Sequence, residues 1–324
     1  MRFPTLEQIR QAHAQLQEVI HWTPTLTSSQ LNRRTGNRLF FKAENFQRTG
    51  SFKVRGAFYK ISQLPDAARN RGVITYSSGN HGQATAFAAD WWGVPAVVVM
   101  PENASRVKIA ATQGYGAQVV FAGHTSEERY QRALELAQEH GYTVIPPYDD
   151  PDIITGQGTI ALELFEDVGD LHYLLVPVGG GGLISGIAIA ARALNPDIRI
   201  IGVETEAAND LYLSFQRGQR VRIPYPNTIA DGIRNLEVGE LNWAIIRQYV
   251  DEVVTVSDAE VIETMRTLLH YLKVLVEPTG AVAAAAALSN RLEVRDKWIG
   301  VILSGGNVDL ERLGRWLLDD AGRP

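Results

Sequence analysis

The sequence predicts an α/β protein with two open twisted sheets flanked by helices. Three observations lead there: two separate series of short β-branched runs alternating with helical stretches, a length of 324 residues, and a Pro-, Gly- and Asp-rich segment between the series. Apolar strands alternating with helices build parallel sheets covered on both faces. A chain this long also buries more than one small core.

The first series runs VITY, a helix from His81 to Trp92, AVVVM, a helix over Arg106 to Thr112, AQVVF, a helix over Glu127 to Glu139, and YTVI. The second runs LHYLLVPV, a helix after a glycine run, IRIIGVE, the small-residue segment AVAAAAALS and the strand WIGVIL. Between them IPPYDDPDIITGQG suits a crossing or hinge better than a sheet interior. The helix after Pro4 and the run RLFFKAE come before the first series and are expected to join the second. This gives a discontinuous large domain, residues 1–49 and 149–324, and a small α/β domain, residues 50–148.

Composition excludes several classes. With 31 basic and 36 acidic residues the formal charge is -5, and no block of like charge suggests a nucleic-acid partner. The absence of cysteine excludes disulfides, a thiolate nucleophile and cysteine-ligated zinc or iron–sulfur sites, and it fits a reducing compartment. The N-terminal segment lacks the apolar core of a signal peptide, and AVAAAAAL is too short to span a bilayer, so a cytoplasmic protein is expected.

Three loops carry chemistry. In VPVGGGGLISG, Gly179, Gly180, Gly181 and Gly182 stand between a strand and a helix, where bare N–H groups and a helix terminus favour a phosphate. Ser185 falls where the spaced dinucleotide pattern wants its third glycine. Glu204 ends the next strand as a ribose-binding acid would, so this segment alone leaves a nicotinamide enzyme in competition. SSGNHGQ, from Ser77 to Gln83, offers an anion clasp or simply a helix start capped by Ser78 or Asn80. In QRTGSFKVRGA, Lys53 would need a lowered pKa to attack an aldehyde, whereas a lysine in such a stretch is more commonly a solvated helix residue, so composition alone does not establish a Schiff base. Arg55 reads as a structural or surface charge rather than a substrate clamp.

Together FQRTGSFKVRGA, SSGNHGQA, PPYDDPDIITGQGTI, VPVGGGGLISGIA, TIADGI, VEPTGA and LSGGNVDL, in order from residue 46 to 310, resemble the fold type II pyridoxal 5'-phosphate (PLP) enzymes. The resemblance is to the threonine/serine dehydratase and serine racemase family, with a tryptophan-synthase-beta-like fold. It rejects the nicotinamide alternative. It implies that Lys53 holds the cofactor aldehyde and handles the substrate Cα proton on one face. Phe52 would lie beside the ring, Asn80 would bond its 3′ oxygen, Gly179 to Gly182 with Leu183 would bind its phosphate, and Ser304 would face the pyridine nitrogen. The loop Ser77, Ser78, Gly79, Asn80 and His81 would take the substrate carboxylate, with the small domain closing over it.

The implied reaction is deamination of L-threonine or L-serine by β-elimination of water, giving 2-oxobutanoate or pyruvate and ammonia. Alternatives are a serine racemase with side dehydratase activity, in which Ser78 exchanges a proton on the face opposite Lys53, and a 3-hydroxyaspartate dehydratase or aspartate racemase. A non-catalytic PLP- or amino-acid-binding protein is the remaining class. Racemase-like relatives also imply a divalent-cation site, magnesium or another, at Glu204, the Ala208 carbonyl and Asp210. Glu277 is expected as a pocket acid, a homodimer as the assembly, and no regulatory domain. His21, His124, His140, His172 and His270 lack metal-ligand spacing.

Overall fold

The computed structural model describes residues 2–77, 79–104, 106–289 and 291–318. It opens with α1 (Leu6–Leu16), started by a capping box between Thr5 and Gln8, then β1 (Thr25–Leu26), α2 (Ser29–Thr35) and β2 (Arg38–Ala43). Next come α3 (Lys53–Ser62) and the short α4 (Asp66–Arg69). The first alternating series is β3 (Val73–Tyr76), α5 (Asn80–Trp91), β4 (Ala96–Met100), α6 (Arg106–Gly114), β5 (Gln118–Phe121), α7 (Ser126–His140) and β6 (Thr143–Val144). The second follows α8 (Pro151–Val168): β7 (Tyr173–Pro177), α9 (Gly182–Leu194), β8 (Arg199–Thr205), α10 (Asp210–Arg217), α11 (Glu240–Tyr249) and β9 (Glu252–Val256). The described chain finishes with α12 (Asp258–Tyr271), α13 (Pro278–Leu288), β10 (Trp298–Leu303) and α14 (Leu310–Leu318).

The strands form two sheets flanked by helices. One has the order β5-β4-β3-β6 and is parallel throughout. The other has the order β1-β2-β10-β7-β8-β9, parallel except where β1 meets β2. Continuous Val- and Ile-rich runs such as AVVVM, buried along their whole length, are what strands covered on both faces require. The alanine-rich α13 is likewise buried all round, packed against β10, β7 and β8 in the larger core. Among the described residues no helix is long and apolar enough to cross a membrane.

The stretch from Ile145 to Gly158 departs from the sequence expectation. From Pro151 it is helix, not an irregular crossing: Asp150 caps the backbone N–H groups of Asp152 and Ile153, and proline sits in the first turn, where its missing N–H costs nothing. Strand β9 and helices α11 and α12 are additions that the sequence pattern does not announce. EVVTV is half-exposed at the sheet edge, and its short alternation gives little periodic signal.

Parallel sheets place ligands beyond the carboxyl ends of their strands. The loops after β3, β7 and β10, beginning at residues 77, 178 and 304, all emerge at such ends, and these belong to three of the motifs in the sequence.

Candidate active site

A cleft of about 330 Å³ opens where these loops meet the start of α3, and Phe52, Lys53, Asn80, Ser304 and the four-glycine run all line it. Lys53 is the first residue of α3, and its Nζ donates to the Pro147 carbonyl at 2.7 Å. Its pKa is lowered to about 8, first because burial withholds water from the ammonium; the Glu277 carboxylate acts in the opposite direction. The amine is thereby brought within reach of its neutral, nucleophilic form. The Phe52 ring centroid lies 5.2 Å from Nζ, and the Phe52 N–H donates to the Ser304 carbonyl at 3.1 Å. That bond, with the bridge between Ser51 and Gly305, stitches the start of α3 to the end of β10.

The glycine run is shaped by its neighbours. Gly181 has φ +96, and a Cβ on Gly180 would sit 2.3 Å from the Tyr148 ring. Helix α9 begins at Gly182 without a side-chain cap, while Gly182 and Leu183 line the cleft. First-turn N–H groups have no partner within their own helix, so this terminus presents bare donors and positive partial charge to an anion.

Asn80 donates through Nδ2 to Glu277 Oε1 at 2.6 Å and accepts from Asn307 Nδ2 at 2.9 Å. Its amide nitrogen carries a second hydrogen for a ligand oxygen. Glu277, buried, has its pKa raised to about 8, first by burial and then by the charge of Asp231; Lys108, the Asn80 amide and Lys53 act against the shift. Ser304 is 2% exposed and donates to the Thr279 carbonyl at 3.4 Å. An anion cradle, an amine of reduced pKa, an amide and a neutral hydroxyl on one cleft fit a phosphorylated pyridine aldehyde.

The loop after β3 supplies both main-chain and side-chain groups beside Lys53. The Ser77 hydroxyl accepts from the Gly79 N–H at 3.2 Å, and Ser78 lies outside the described residues. His81 is buried with Nε2 3.1 Å from the Ile145 carbonyl, and its pKa is lowered to about 3, first by burial and then by the Lys53 charge. Its ring is neutral and turned to the backbone, which leaves the main-chain N–H as its means of meeting a carboxylate.

Away from the cleft, Glu204 and Asp210 are both buried. Glu204 accepts from the N–H groups of Leu211 and Tyr212 at 3.1 and 2.8 Å, whereas neither carboxylate oxygen of Asp210 has a well-aligned hydrogen bond, with the N–H groups of Asp210 and Val238 and the Glu204 carboxyl close enough to act on it. Burial pushes Asp210 up to about 7, and burial together with the adjacent Asp210 pushes Glu204 well above the carboxylate range. Ala208 is buried between them in sequence, tied to Thr205 by an isolated bridge. An all-oxygen set with a loosely bonded carboxylate suits a hard divalent cation. Among the described residues no group of three or more His, Asp or Glu side chains could hold a metal, so such an ion would need main-chain or water oxygens.

Sequence reasoning missed Lys108, Tyr148 and Arg129, all of which line the cleft. Lys108 forms an ion pair with Asp231, which does fall in the quoted motif TIADGI. Arg129 is 8% exposed; it donates to Ser126 Oγ at 2.8 Å and the His124 carbonyl at 3.3 Å, while Nε has no partner. On α7 it looks like any surface helix arginine until the tertiary fold turns it inward.

A two-sheet α/β fold with a lysine and a phosphate-type loop on one cleft defines an enzyme that works on amino acids through a bound aldehyde cofactor. The sequence model described as "Pyridoxal-phosphate dependent enzyme" matches residues 16–305, and the chain belongs to that family, as a member of fold type II. It is 50% identical to the L-threo-3-hydroxyaspartate ammonia-lyase of Saccharomyces cerevisiae over 96% of both chains, and 46% identical to the serine racemase of Schizosaccharomyces pombe over 97% of both. The structure of maize serine racemase superimposes with a TM-score of 0.94 and 39% identity, covering 99% of this chain and 98% of that one.

Proposed function

We propose that this protein deaminates a β-hydroxy-α-amino acid by eliminating water. The observation that carries the reading is the Lys53 amine, of lowered pKa, on the same cleft as the uncapped glycine-rich start of α9. PLP, when bound, supplies the electron sink that acidifies the substrate Cα–H bond. Lys53 anchors that group and takes the Cα proton. Gly179 to Gly182 and Leu183 would hold the phosphate, Asn80 would reach the 3′ oxygen, Phe52 would flank the ring, and the Ser304 hydroxyl would serve the pyridine nitrogen. The N–H groups and hydroxyls from Ser77 to His81 bind the substrate carboxylate, and closure of residues 50–148 over the substrate excludes water. Loss of the Cα proton and the β-hydroxyl as water leaves an enamino acid, which takes up water to give a 2-oxo acid and ammonia.

L-threonine and L-serine are the substrates the motif resemblance puts first. One observation favours 3-hydroxyaspartate instead: Arg129, almost wholly buried, puts a cationic side chain on the cleft wall, where a second carboxylate would be received. The activity carried by the 50%-identical yeast relative supports the same choice. Incubating PLP-loaded protein with L-threonine, L-serine and both diastereomers of 3-hydroxyaspartate, with 2-oxo acid and chiral amino acid measured together, decides among them. Oxo acid from none of these substrates would refute the ammonia-lyase reading. Conversion of L- to D-serine would assign racemase activity, with Ser78 as the second proton carrier. Replacing Arg129 with methionine should lower kcat/KM for 3-hydroxyaspartate by about tenfold or more, the worth of a charge-assisted hydrogen bond, and leave L-serine turnover within about threefold. Equal loss on both substrates would reject the second-carboxylate role.

A divalent cation, magnesium first, at Glu204, the Ala208 carbonyl and Asp210 accounts for the Asp210 oxygens that lack a well-aligned partner. A homodimer working in the cytoplasm completes the proposal; sedimentation of the purified protein tests the assembly.

A further inference from the structure

Arg55 lies two residues after Lys53 on α3 and has no exposed surface. All five of its guanidinium N–H groups are used. Nε and Nη2 donate to the two oxygens of Glu44, each at 2.8 Å; Nη1 and Nη2 donate to those of Glu163 at 2.6 and 2.8 Å. The remaining Nη1 hydrogen goes to Thr159 Oγ1 at 3.1 Å. Lys42, equally buried, adds a bond to Glu163 at 2.9 Å and one to the Thr23 carbonyl at 2.7 Å. Buried charge clusters are a poor source of net stability, because desolvation offsets the attraction. What a planar guanidinium forked onto two carboxylates does provide is fixed geometry. Here it joins α3 to the turn after β2 and to α8.

A second observation concerns α8 itself. Where α3 crosses it, a Cβ on Gly156 would stand 2.6 Å from the Arg55 carbonyl oxygen. Where α9 crosses it, a Cβ on Gly186 would stand 2.2 Å from the Ile154 carbonyl oxygen. The helix that begins with Lys53 and the helix that begins with the glycine loop therefore both rest backbone to backbone on α8. The Pro147 carbonyl that accepts from Lys53 lies just ahead of that same helix.

We propose that Arg55 is a positioning residue for Lys53: its two-sided clamp on Glu44 and Glu163 fixes α3 on α8, and so sets the lysine amine relative to the phosphate cradle at the start of α9. This rests on the reading of Lys53 as the cofactor lysine. The clamp acts without touching substrate or cofactor, so its loss alters how the lysine-bound cofactor is held rather than whether substrate binds.

The test compares wild type, Arg55→Lys and Arg55→Met as holoenzymes. It measures circular dichroism in the visible cofactor band per mole of bound PLP, kcat, KM and Tm. A chromophore gains dichroism only when its surroundings hold it in one orientation. The proposal expects reduced dichroism, kcat lower by about tenfold to a hundredfold as for a displaced reacting group, and KM within about twofold. Lysine, which keeps the charge but not the fork, should recover part of what methionine loses. Wild-type dichroism and kcat in Arg55→Lys, even with a lowered Tm, would overturn the positioning role, and that variant decides if methionine prevents folding. Borohydride labelling of the wild type at a lysine other than Lys53 would sink the cofactor reading and this role together. Labelling at Lys53 with an unaltered Arg55→Lys signal sinks the role alone.

Discussion

At the scale of single residues, Lys53 and Asp210 illustrate the same physics with opposite signs of charge. Burial destabilises the charged form of each, lowering the lysine to about 8 and raising the aspartate to about 7. For Lys53 the consequence is kinetic. Capture of PLP by the apo-protein, followed as growth of the visible absorbance band, should quicken about tenfold per pH unit below 8 and level off above it, because the neutral amine is the attacking species. A rise continuing to pH 10 would show an ordinary exposed amine. For Asp210 the consequence is thermodynamic. The folded chain binds the proton more tightly than the unfolded chain, so cation-free protein should lose stability as pH rises from about 4 to about 7, and further as the raised Glu204 gives up its own proton. Magnesium should restore that loss by binding the folded state alone, read as Tm with and without chelator. A Tm insensitive to both pH and magnesium would remove the cation site. Lys53 and the glycine run stand out in the sequence because each lies in its own contiguous motif, and the fold brings both to one cleft. The partners of Arg55 were not: Glu163 is 108 positions away, and only the packed helices bring it near.

At the scale of elements, the strands were the most legible part. VITY and WIGVIL coincide with β3 and β10, and AVVVM with β4, because fully buried parallel strands leave continuous β-branched runs. Helix α8 was hidden because proline, aspartate and glycine usually punctuate. Here the aspartate caps, the proline opens the first turn, and Gly156 and Gly158 allow close crossings where a side chain would collide. Tyr148, just before α8, fills the space behind the phosphate cradle, and this gives a test at the same scale. Gly180→Ala would force the Tyr148 ring and the loop apart, so its apparent Kd for PLP should rise by about tenfold or more in equilibrium titration of the apo-protein. An unchanged Kd would mean that the loop does not carry the phosphate.

At the scale of the whole molecule, two largely parallel sheets deliver three loops to one cleft, and a buried charge cluster with glycine-mediated helix crossings packs the helix that begins with Lys53 against α8, on which the helix that begins at Gly182 also rests. The sheets and the motif order were visible in the sequence, whereas the cationic wall at Arg129 and the clamp at Arg55 arise only when distant segments pack. Borohydride reduction of the PLP-loaded protein, followed by proteolysis and mass mapping, reads out whether Lys53 carries the cofactor. One phosphopyridoxyl label is expected, on the peptide that contains Lys53, with loss of the visible band; a label on another lysine, or a band untouched by Lys53→Ala, would place the cofactor elsewhere.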